Sequence, residues 1–400
     1  MSSQPRTNIL EPVTHSNKKT TFRVPSADRV IYSSLRLCDF GLSAVAGATG
    51  QENFAFASGA YALLKNVRLY AGNTLIDQCL DVDRIMGHHM LRGSTMEKFD
   101  VDQKLVCNSL NIREVVTDPV NGDETTSLQP LANKLLARIK LDDVLLLLKS
   151  VEYFAGWAGD LKLELEYNTD ATVVLSSSGS QGAMTVSRPI LVFEDEMNEE
   201  VSMVLMKEQA GRFSAVWNTY EREYISGIVA GLNGIRVRGF DNKMVNHLLL
   251  AVGYTNGGVE ANLGHGYSLE LGEKVNFLVN GVRLLPLTGM DTSARRAGSV
   301  SDQSVLGLCV PTGCHDSTTL GPNDQSDFSD ALFALFGKIS WSAYEINNII
   351  NRLDLEFTLP ANYEPTNSAY IWASVMKFLT KDASGNIIVG YQAIPESKLE

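Results

Sequence analysis

Two closely spaced carboxylates are the first feature of this sequence that could take part in catalysis. Glu164 and Glu166 lie in the segment LKLELEY, residues 161–167, and a pair of carboxylates is what a glycoside hydrolase uses as acid and base. The same segment alternates apolar and charged residues with period two, which is typical of a half-buried strand. Because strand side chains alternate between faces, both glutamates share a face with Lys162, opposite three leucines. We therefore predict the charged outer face of a strand rather than a catalytic pair.

A second group of reactive residues contains two thiols and an imidazole. Cys309, Cys314 and His315 are spaced closely enough to ligate a metal, but a closed structural zinc site needs four ligands and no second cysteine pair follows. We interpret these residues as part of a loop, with a Cys309–Cys314 disulfide in an oxidising environment as the alternative. The pair His88-His89 has no matching ligand set and is interpreted as two polar residues near a strand end.

The remaining motifs also lack a complete functional pattern. Gly337-Lys338 lacks the upstream glycine of a phosphate-binding loop, since Leu332 stands at that position. The acidic run between Glu194 and Glu200 lacks the spacing of an EF-hand calcium loop, so a junction between domains is preferred over a calcium site. Arg68 and Arg283 are expected to pair with acidic neighbours rather than bind phosphate. The sequence thus predicts no catalytic, cofactor-binding or metal-binding residue, and no enzyme.

The overall composition restricts the function classes further. The chain has 400 residues, 44% of them hydrophobic, and a formal net charge of −12. An acidic chain of this kind argues against a nucleic-acid-binding surface, which needs clustered lysine and arginine. The five scattered cysteines, the absence of any Asn-x-Ser/Thr acceptor and the polar N-terminal residues favour synthesis in a reducing compartment without secretion.

Short β-like segments make up most of the chain. Strands and the loops between them are therefore expected to position the candidate residues named above. Runs rich in Val, Ile, Tyr and Phe are separated by Gly, Pro, Ser, Asn and Asp. Helices are predicted only over Leu131–Ile139, Val144–Leu148 and residues 330–339. Residues 291–330 form a long Gly/Ser/Asp/Thr-rich stretch, and loops of that length are usually functional or exposed.

Two matches between the halves suggest an internal duplication. Residues 66–69 (NVRL) resemble residues 281–284 (GVRL), and residues 163–167 (LELEY) resemble residues 353–357 (LDLEF) in the same order. A repeat of nearly two hundred residues with many short strands predicts an all-β fold of two tandem jelly-roll β-sandwiches, with a few short helices and long loops.

The predicted domains follow from this duplication. Residues 1–20 are expected to form a flexible N-terminal arm, either solvated or docked on a neighbouring subunit through the basic cluster at residues 17–19. The first jelly roll is placed at residues 21–187, an acidic junction at 188–200, and the second jelly roll at 201–400 with its long loop at 291–330.

Three segments resemble one protein family. The segments YALLKNVRLYAGNTLIDQ, LKLELEYNTDA and RPILVFEDE begin at Tyr61, Leu161 and Arg188. In this order they are similar to double jelly-roll major capsid proteins of icosahedral double-stranded DNA viruses, nearest to those of polinton-like viruses and virophages. The resemblance covers about Thr20 to Ile394 and includes no catalytic signature. The chain is short for the virophage members.

The resemblance implies a structural role in a virion. Three subunits with two rolls each would form a homotrimer with six similar lobes, a pseudo-hexameric capsomer that tiles an icosahedral shell around a double-stranded DNA genome. The implied partners are further copies of this chain, penton proteins and minor capsid proteins, with no sequence-specific nucleic acid. The host cytoplasm or nucleus is the implied site of synthesis, and residues 291–330 the outward or inter-subunit loop.

Two alternative functions use the same fold class. A carbohydrate-binding or receptor-binding β-sandwich would present aromatic side chains in an exposed groove. The four tryptophans (Trp157, Trp217, Trp341 and Trp372) lie in apolar contexts and are instead predicted to be core residues. A glycoside-active enzyme is disfavoured because no separate acid pair is recognisable.

Overall fold

The structure of the chain is a computed structural model. It describes residues 6–24, 30–45, 52–54, 59–82, 85–86, 113–117, 124–128, 135–151, 160–168, 174–176, 184–210, 213–252, 274–283, 290–291, 342–359, 369–382 and 384–391. All statements about the fold refer to these residues.

The first half of the chain is built mainly from antiparallel strands. In chain order they are β1 (Arg6–Leu10), β2 (Thr14–His15), β3 (Lys19–Val24), β4 (Val30–Val45), β5 (Glu52–Phe54), β6 (Leu64–Ala71), β7 (Thr74–Leu80), β8 (Arg113–Thr117), β9 (Glu124–Leu128), β10 (Leu135–Lys140), β11 (Leu161–Tyr167), β12 (Val174–Ser176), β13 (Met184–Val186) and β14 (Ile190–Asp195). A 3-10 helix covers Gly59–Leu63, and the short helix α1 covers Leu147–Ser150.

The second half begins with a helix and continues with strands. The helix α2 (Glu199–Ala210) precedes β15 (Phe213–Ile225), β16 (Gly231–Val237), β17 (Lys243–Val252), β18 (Lys274–Val279), β19 (Val282–Arg283), β20 (Met290–Asp291), β21 (Ser342–Ile350), β22 (Leu353–Leu359), β23 (Ala369–Lys381) and β24 (Ile387–Tyr391).

The two halves have the same sheet topology. In the first half one sheet has the order β1-β14-β4-β10 and the other β3-β11-β6-β7; in the second half the orders are β15-β23-β17-β21 and β16-β22-β18-β19. Eight principal strands in each half thus run first–eighth–third–sixth in one sheet and second–seventh–fourth–fifth in the other. The remaining strands extend these sheets or form two-stranded ribbons, β5 with β12 and β8 with β9. This is a jelly-roll order, present twice.

Alternating side chains create an apolar core between the sheets of each roll. On β11, Leu161, Leu163 and Leu165 are at most 1% exposed, and they pack in one cluster with residues of both first-roll sheets, including Phe22 and Leu37. In the second roll Leu353 and Leu355 of β22 occupy the corresponding core. The period-two pattern that predicted these two strands is therefore the pattern that fills both cores.

A two-residue turn joins the fourth and fifth strands of each roll. Gly72 has φ of +58° in the first roll, while Asn280 and Gly281 have φ of +53° and +80° in the second. Turns of this length suit the twist of the strands only with positive φ at central positions, which Gly and Asn tolerate best. The Asn280 side chain also accepts hydrogen bonds from the backbone N–H groups of Asn351 and Arg352 at 2.7 and 3.0 Å. These bonds hold the hairpin to the turn between β21 and β22.

The predicted arm and the predicted junction are corrected by the strand pairing. β1 lies within residues 1–20 and β14 within residues 188–200, and the two pair from Arg6 opposite Asp195 to Leu10 opposite Leu191. They are the first and eighth strands of the first roll. Residues 6–10 carry no alternating apolar pattern because β1 is a largely exposed edge strand, so the sequence contains no local signal for it. Likewise α2, rather than a strand, opens the predicted second domain.

One predicted helix is a strand. Residues 135–140, the larger part of the helix predicted over Leu131–Ile139, form β10. The leucine and isoleucine spacing fits a helix, but residues 136–140 also alternate, with Ala137 and Ile139 buried and the residues between them exposed. These residues therefore fit both the helical period and the period of two, and pairing with β4 selects the strand. Helix α1 overlaps the prediction at 144–148, whereas the helix predicted at 330–339 and residues 292–330 lie outside the described residues.

The structure also corrects one of the two repeat matches. Val67 and Arg68 lie on β6, before the hairpin turn, whereas Val282 and Arg283 lie on β19, after it. The match between residues 66–69 and 281–284 therefore compares the fourth strand of the first roll with the fifth strand of the second roll, and these strands are not equivalent. The other match is correct at the level of strands, because β11 and β22 are both seventh strands.

Candidate functional site

The carboxylates considered for catalysis are ion-paired. Glu164 contacts Lys19 and Lys162 through its two carboxylate oxygens, at 3.0 and 2.5 Å. Burial by itself raises the pKa of Glu164, but the hydrogen bonds from these two ammonium groups outweigh it, so the pKa is lowered. The residue is 7% exposed and lies beneath the lysines, not openly on the outer face as predicted.

The second carboxylate has a similar environment. Glu166 accepts a hydrogen bond from the Asn66 amide at 2.8 Å and pairs with Arg68 at 3.2 Å. These contacts, the Asn66 bond foremost, lower its pKa. A glycosidase acid must hold a proton near neutral pH, which requires a raised pKa. Neither glutamate has that property, which agrees with the interpretation of an ion-paired strand.

The predicted acidic partners of both arginines are present. Arg68 pairs with Glu166 across β6 and β11, and Arg283 pairs with Glu356 on β22 at 3.4 Å. The two pairs are formed from non-equivalent strands, so they are not a conserved feature of the duplication. Trp217 and Trp372 are 3% and 0% exposed, which confirms the prediction that they are core residues.

Several other candidates lie outside the described residues. They are His88, His89, Trp157, Cys309, Cys314, His315, Gly337, Lys338 and Trp341. Within the described ranges, no three His, Cys, Asp or Glu side chains cluster as a metal site would require. No described helix has the length and hydropathy needed to cross a membrane.

The most elaborate arrangement of side chains lies where the two rolls meet. The carboxylate of Asp77 on β7 is buried and accepts hydrogen bonds from four donors on three elements. The donors are the backbone N–H groups of Gln78 at 2.9 Å and Leu147 at 3.1 Å, the Trp217 indole N–H at 3.1 Å and the Thr219 hydroxyl at 3.3 Å. Asp77 therefore joins β7 and α1 of the first roll to β15 of the second.

Burial determines the protonation behaviour of Asp77. Desolvation raises its pKa to about 6, and the hydrogen bonds from Leu147, Trp217 and Gln78 offset this only in part. A carboxyl that is buried without a directly bonded cation behaves in this way because its charged form loses solvation.

A second polar contact crosses the same junction. Arg222 on β15 contacts both carboxylate oxygens of Asp81, just beyond β7, through one guanidinium nitrogen, Nη1, at 2.7 Å each. The Asp81 side chain is 10% exposed. The single proton of the Thr219 hydroxyl is shared between Asp77 and the carbonyl of Gln78, which lies at 3.1 Å. Hydrogen bonds between charged groups, as in the Arg222–Asp81 pair, are shorter and stronger than those between neutral groups.

Apolar packing makes the junction continuous with the core of the first roll. Trp217, Tyr220, Trp372 and Leu379 of the second half belong to the same buried cluster as the first-roll core. The junction thus contains a shared apolar core with two buried polar contacts. This arrangement orients one roll on the other.

A further polar cluster lies within the second roll. Glu221 contacts Lys243 at 2.7 Å and Lys377 at 2.8 Å and accepts a hydrogen bond from the Tyr391 hydroxyl at 2.6 Å. Burial raises the pKa of Glu221, but these cations and donors lower it overall. The cluster joins β15, β17, β23 and β24 through one carboxylate that contacts two ammonium groups.

Sequence reasoning did not identify the junction residues. Asp77 stands in the strand TLIDQCL between Ile76 and Gln78, where one acidic residue in a mainly apolar strand is the only local signal. Nothing near Trp217 or Arg222 in the sequence indicates a partner 140 residues away. The signal that could have found them is a charged residue in an otherwise core-facing strand.

Sequence comparison identifies no relative. No protein-family model matches the chain, and no curated protein matches it.

Structural comparison, in contrast, finds similar folds over nearly the whole chain. The PBCV-1 VP54 structure fitted into a reconstruction of the virophage Sputnik is 10% identical with a TM-score of 0.57, and the alignment covers 98% of each chain. The cryo-EM structure of the Sputnik virophage itself is 9% identical with a TM-score of 0.55, over 99% of this chain and 90% of that one. The Faustovirus major capsid protein is 8% identical with a TM-score of 0.53, over 94% and 90%.

These similarities extend over both rolls and agree with the strand order. The predicted fold class, two tandem jelly-roll sandwiches in one chain, is confirmed. At identities of 8–10% the comparisons concern the fold alone.

Proposed function

We propose that this protein is a major capsid protein, a structural subunit that assembles as a homotrimer into pseudo-hexameric capsomers of an icosahedral shell around a double-stranded DNA genome. The observation that carries the proposal is the pair of rolls with identical strand order, joined by a buried junction. The similarity in fold to capsid proteins over almost the full chain supports it.

The physical argument concerns symmetry. One subunit with two similar lobes gives six lobes when three copies close around a threefold axis. Such a ring has a nearly hexagonal outline, and hexagonal units can cover the flat facets of a large shell. The buried junction supports this role, because only a fixed relation between the two rolls would give every trimer the same outline.

The proposed location and partners follow from this role. The protein is made in the host cytoplasm or nucleus, is not secreted, and resides in the virion capsid. Its partners are its own copies, neighbouring capsomers, penton proteins and minor capsid proteins. The net charge of −12 supports the absence of sequence-specific nucleic-acid binding. A role without catalysis agrees with the ion pairing of Glu164 and Glu166.

No observation favours the alternative of a carbohydrate-binding or receptor-binding protein. That function would use aromatic side chains in an open groove, whereas the described tryptophans, Trp217 and Trp372, are buried. The alternative becomes the leading hypothesis only if the protein does not oligomerise.

The test is the mass of the purified protein in solution, followed by imaging. We expect light scattering to give three times the 43.7 kDa of one chain, and negative-stain images of that fraction to show a six-lobed outline. A monomeric mass over the accessible concentration range would contradict the proposal, and glycan-binding assays would then be the next experiment.

A further inference from the structure

The helix between the two rolls, α2, presents apolar side chains to solvent. Val201, Met203 and Val204 on the helix, and Met197 just before it, are between 36% and 54% exposed. Val201 and Val204 are three residues apart and therefore share one face of the helix. Within the described part of the chain, none of these four side chains belongs to either apolar core. This face of α2 is therefore open to another molecule.

The length of α2 makes the exposed face costly. The helix has 12 residues, and helices of that length are marginal in water unless an apolar face packs against another surface. Valine adds to the cost, because its branched side chain loses rotamer freedom in a helix. The exposed valine face stabilises such a helix only when a second molecule covers it.

The start of α2 is fixed to the first roll. The amide of Asn8 on β1 donates a hydrogen bond to the carboxylate of Asp195, the last residue of β14. The Asn198 side chain accepts a hydrogen bond from the backbone N–H of Glu200 at 3.0 Å and so caps the helix. At its other end α2 is followed closely by β15, which it also contacts. The apolar face is therefore held in place before any partner arrives, which lowers the ordering cost of binding.

The charges beside this face select the kind of partner. Five acidic residues lie in the seven positions from Glu194 to Glu200, and the first basic residue after them is Lys207. Glu200 is exposed and lies four residues before Val204, which makes the two neighbours on the helix surface. Charges of opposite sign across an interface favour a partner, and like charges exclude one. The same helix of a second copy would bring like charges together, whereas a segment rich in lysine or arginine is complementary.

We propose that the apolar face of α2, formed by Val201 and Val204 and bordered by Glu200, binds a basic amphipathic helix of another protein. Apolar side chains of that helix cover the two valines, and its lysine or arginine side chains lie beside the acidic residues. Binding of this kind uses anchors three and four residues apart along the partner helix. The inference goes beyond the proposed homotrimer and does not depend on it, because α2 lies within the single chain.

A synthetic peptide serves as the probe. It is about 14 residues long, has leucines at helical spacing and lysines at all other positions, and carries a fluorescent label. A second peptide keeps the leucines and replaces every lysine with glutamate. Fluorescence anisotropy is measured at 0.15 M ionic strength, where a screening length of about 8 Å limits attraction by the overall charge of the protein. We expect saturable binding of the lysine peptide, with one peptide per chain, and no binding of the glutamate peptide.

Val201→Ser combined with Val204→Ser tests the apolar face without a change of charge. The substitutions remove apolar surface that binding buries, so the lysine peptide should bind at least about tenfold more weakly. Serine and valine have similar helix propensities, and circular dichroism with thermal melting checks that the fold is retained. The matched control is Leu232→Ser on β16, where Leu232 is 74% exposed. The control should bind the peptide as the parent protein does.

Glu200→Gln tests the acidic border of the face. Its control is Glu11→Gln, which removes the same single charge. Glu11 lies beyond the end of β1 that is away from α2, where it pairs with Arg188. We expect Glu200→Gln to weaken binding of the lysine peptide by about two- to fivefold and Glu11→Gln to leave it unchanged.

The outcomes separate this inference from the proposed function. Equal affinity of the parent and the double serine variant would overturn the inference, as would equally tight binding of both peptides. Dissociation of an oligomer by the lysine peptide, seen in light scattering, would show that a second copy occupies the face, which also overturns it. A monomeric parent protein that binds the peptide at α2 would contradict the proposed trimer and support the inference.

Discussion

At the scale of single residues, Asp77 is the most informative side chain. It is a buried carboxylate that accepts hydrogen bonds from both rolls, yet the structure gives it no cation within hydrogen-bonding distance among its described contacts. Its charged form is therefore costly, and its pKa lies at about 6 instead of 3.8.

The stability of the protein should depend on pH through Asp77. A carboxyl whose pKa is higher in the folded state binds its proton more tightly when folded, so this contribution is greatest below about pH 4 and is lost as pH rises through about 6. A shift from 3.8 to about 6 corresponds to about 3 kcal/mol of unfolding free energy. Urea unfolding of the parent protein and of Asp77→Asn from pH 4 to 7, at one protein concentration, measures it.

The comparison with the asparagine variant isolates this residue from the other carboxyl groups, several of which have lowered pKa values. The stability of the parent relative to Asp77→Asn should decrease across this pH range. A difference that stays constant with pH would show that Asp77 does not titrate there.

At the scale of elements, the joint between β7 and β15 combines apolar packing with directed polar contacts. Trp217 and Tyr220 contribute buried surface, while Nη1 of Arg222 contacts both carboxylate oxygens of Asp81. Apolar surface alone is non-directional, so the polar contacts are what fix the orientation of the two strands.

Removing Arg222 should destabilise the protein more than removing a comparable arginine elsewhere. Arg222→Ala removes the guanidinium that contacts both oxygens of the Asp81 carboxylate, which is 10% exposed; we expect a loss of about 1–3 kcal/mol in unfolding free energy. The control is Arg236→Ala: Arg236 has the same 34% side-chain exposure, but its partner Asp241 is 27% exposed. The control should lose under about 1 kcal/mol. Equal losses in urea unfolding would mean that the junction pair has no special role.

At the scale of the whole molecule, assembly brings together chains of like charge. Each copy carries a formal charge of −12, so copies repel one another at long range. Contacts between copies act at short range and have to overcome this repulsion.

Salt should therefore favour trimer formation. The screening length falls from about 30 Å at 0.01 M to about 8 Å at 0.15 M ionic strength, which weakens the repulsion between copies. Sedimentation equilibrium over this range should show a trimer dissociation constant that decreases as salt is added. Weaker association at higher salt would indicate that attraction between opposite charges holds the subunits together.

The sequence by itself determined the local features of this protein. The period-two alternation of LKLELEY and LDLEF predicted strands that are now β11 and β22, and the abundance of short strands with few helices predicted the double jelly roll. An acidic partner for Arg68 was also predicted, but its identity, Glu166, which lies 98 residues away, was not. The two strand predictions depend on an alternation repeated within one strand.

Only the tertiary structure decided which distant segments meet. β1 has no apolar pattern and became a strand by pairing with β14, more than 180 residues away. The sequence match between Val67-Arg68 and Val282-Arg283 compared strands that are not equivalent in the two rolls. A short motif of this kind does not show whether it lies before or after a hairpin turn. In the sequence Asp77 looks like an ordinary strand residue, and only its contacts with β15 and α1 show that it is enclosed. The burial of a residue and the choice of its partner strand depend on contacts between segments far apart in the chain. The local periodicity of the sequence contains no information about those contacts.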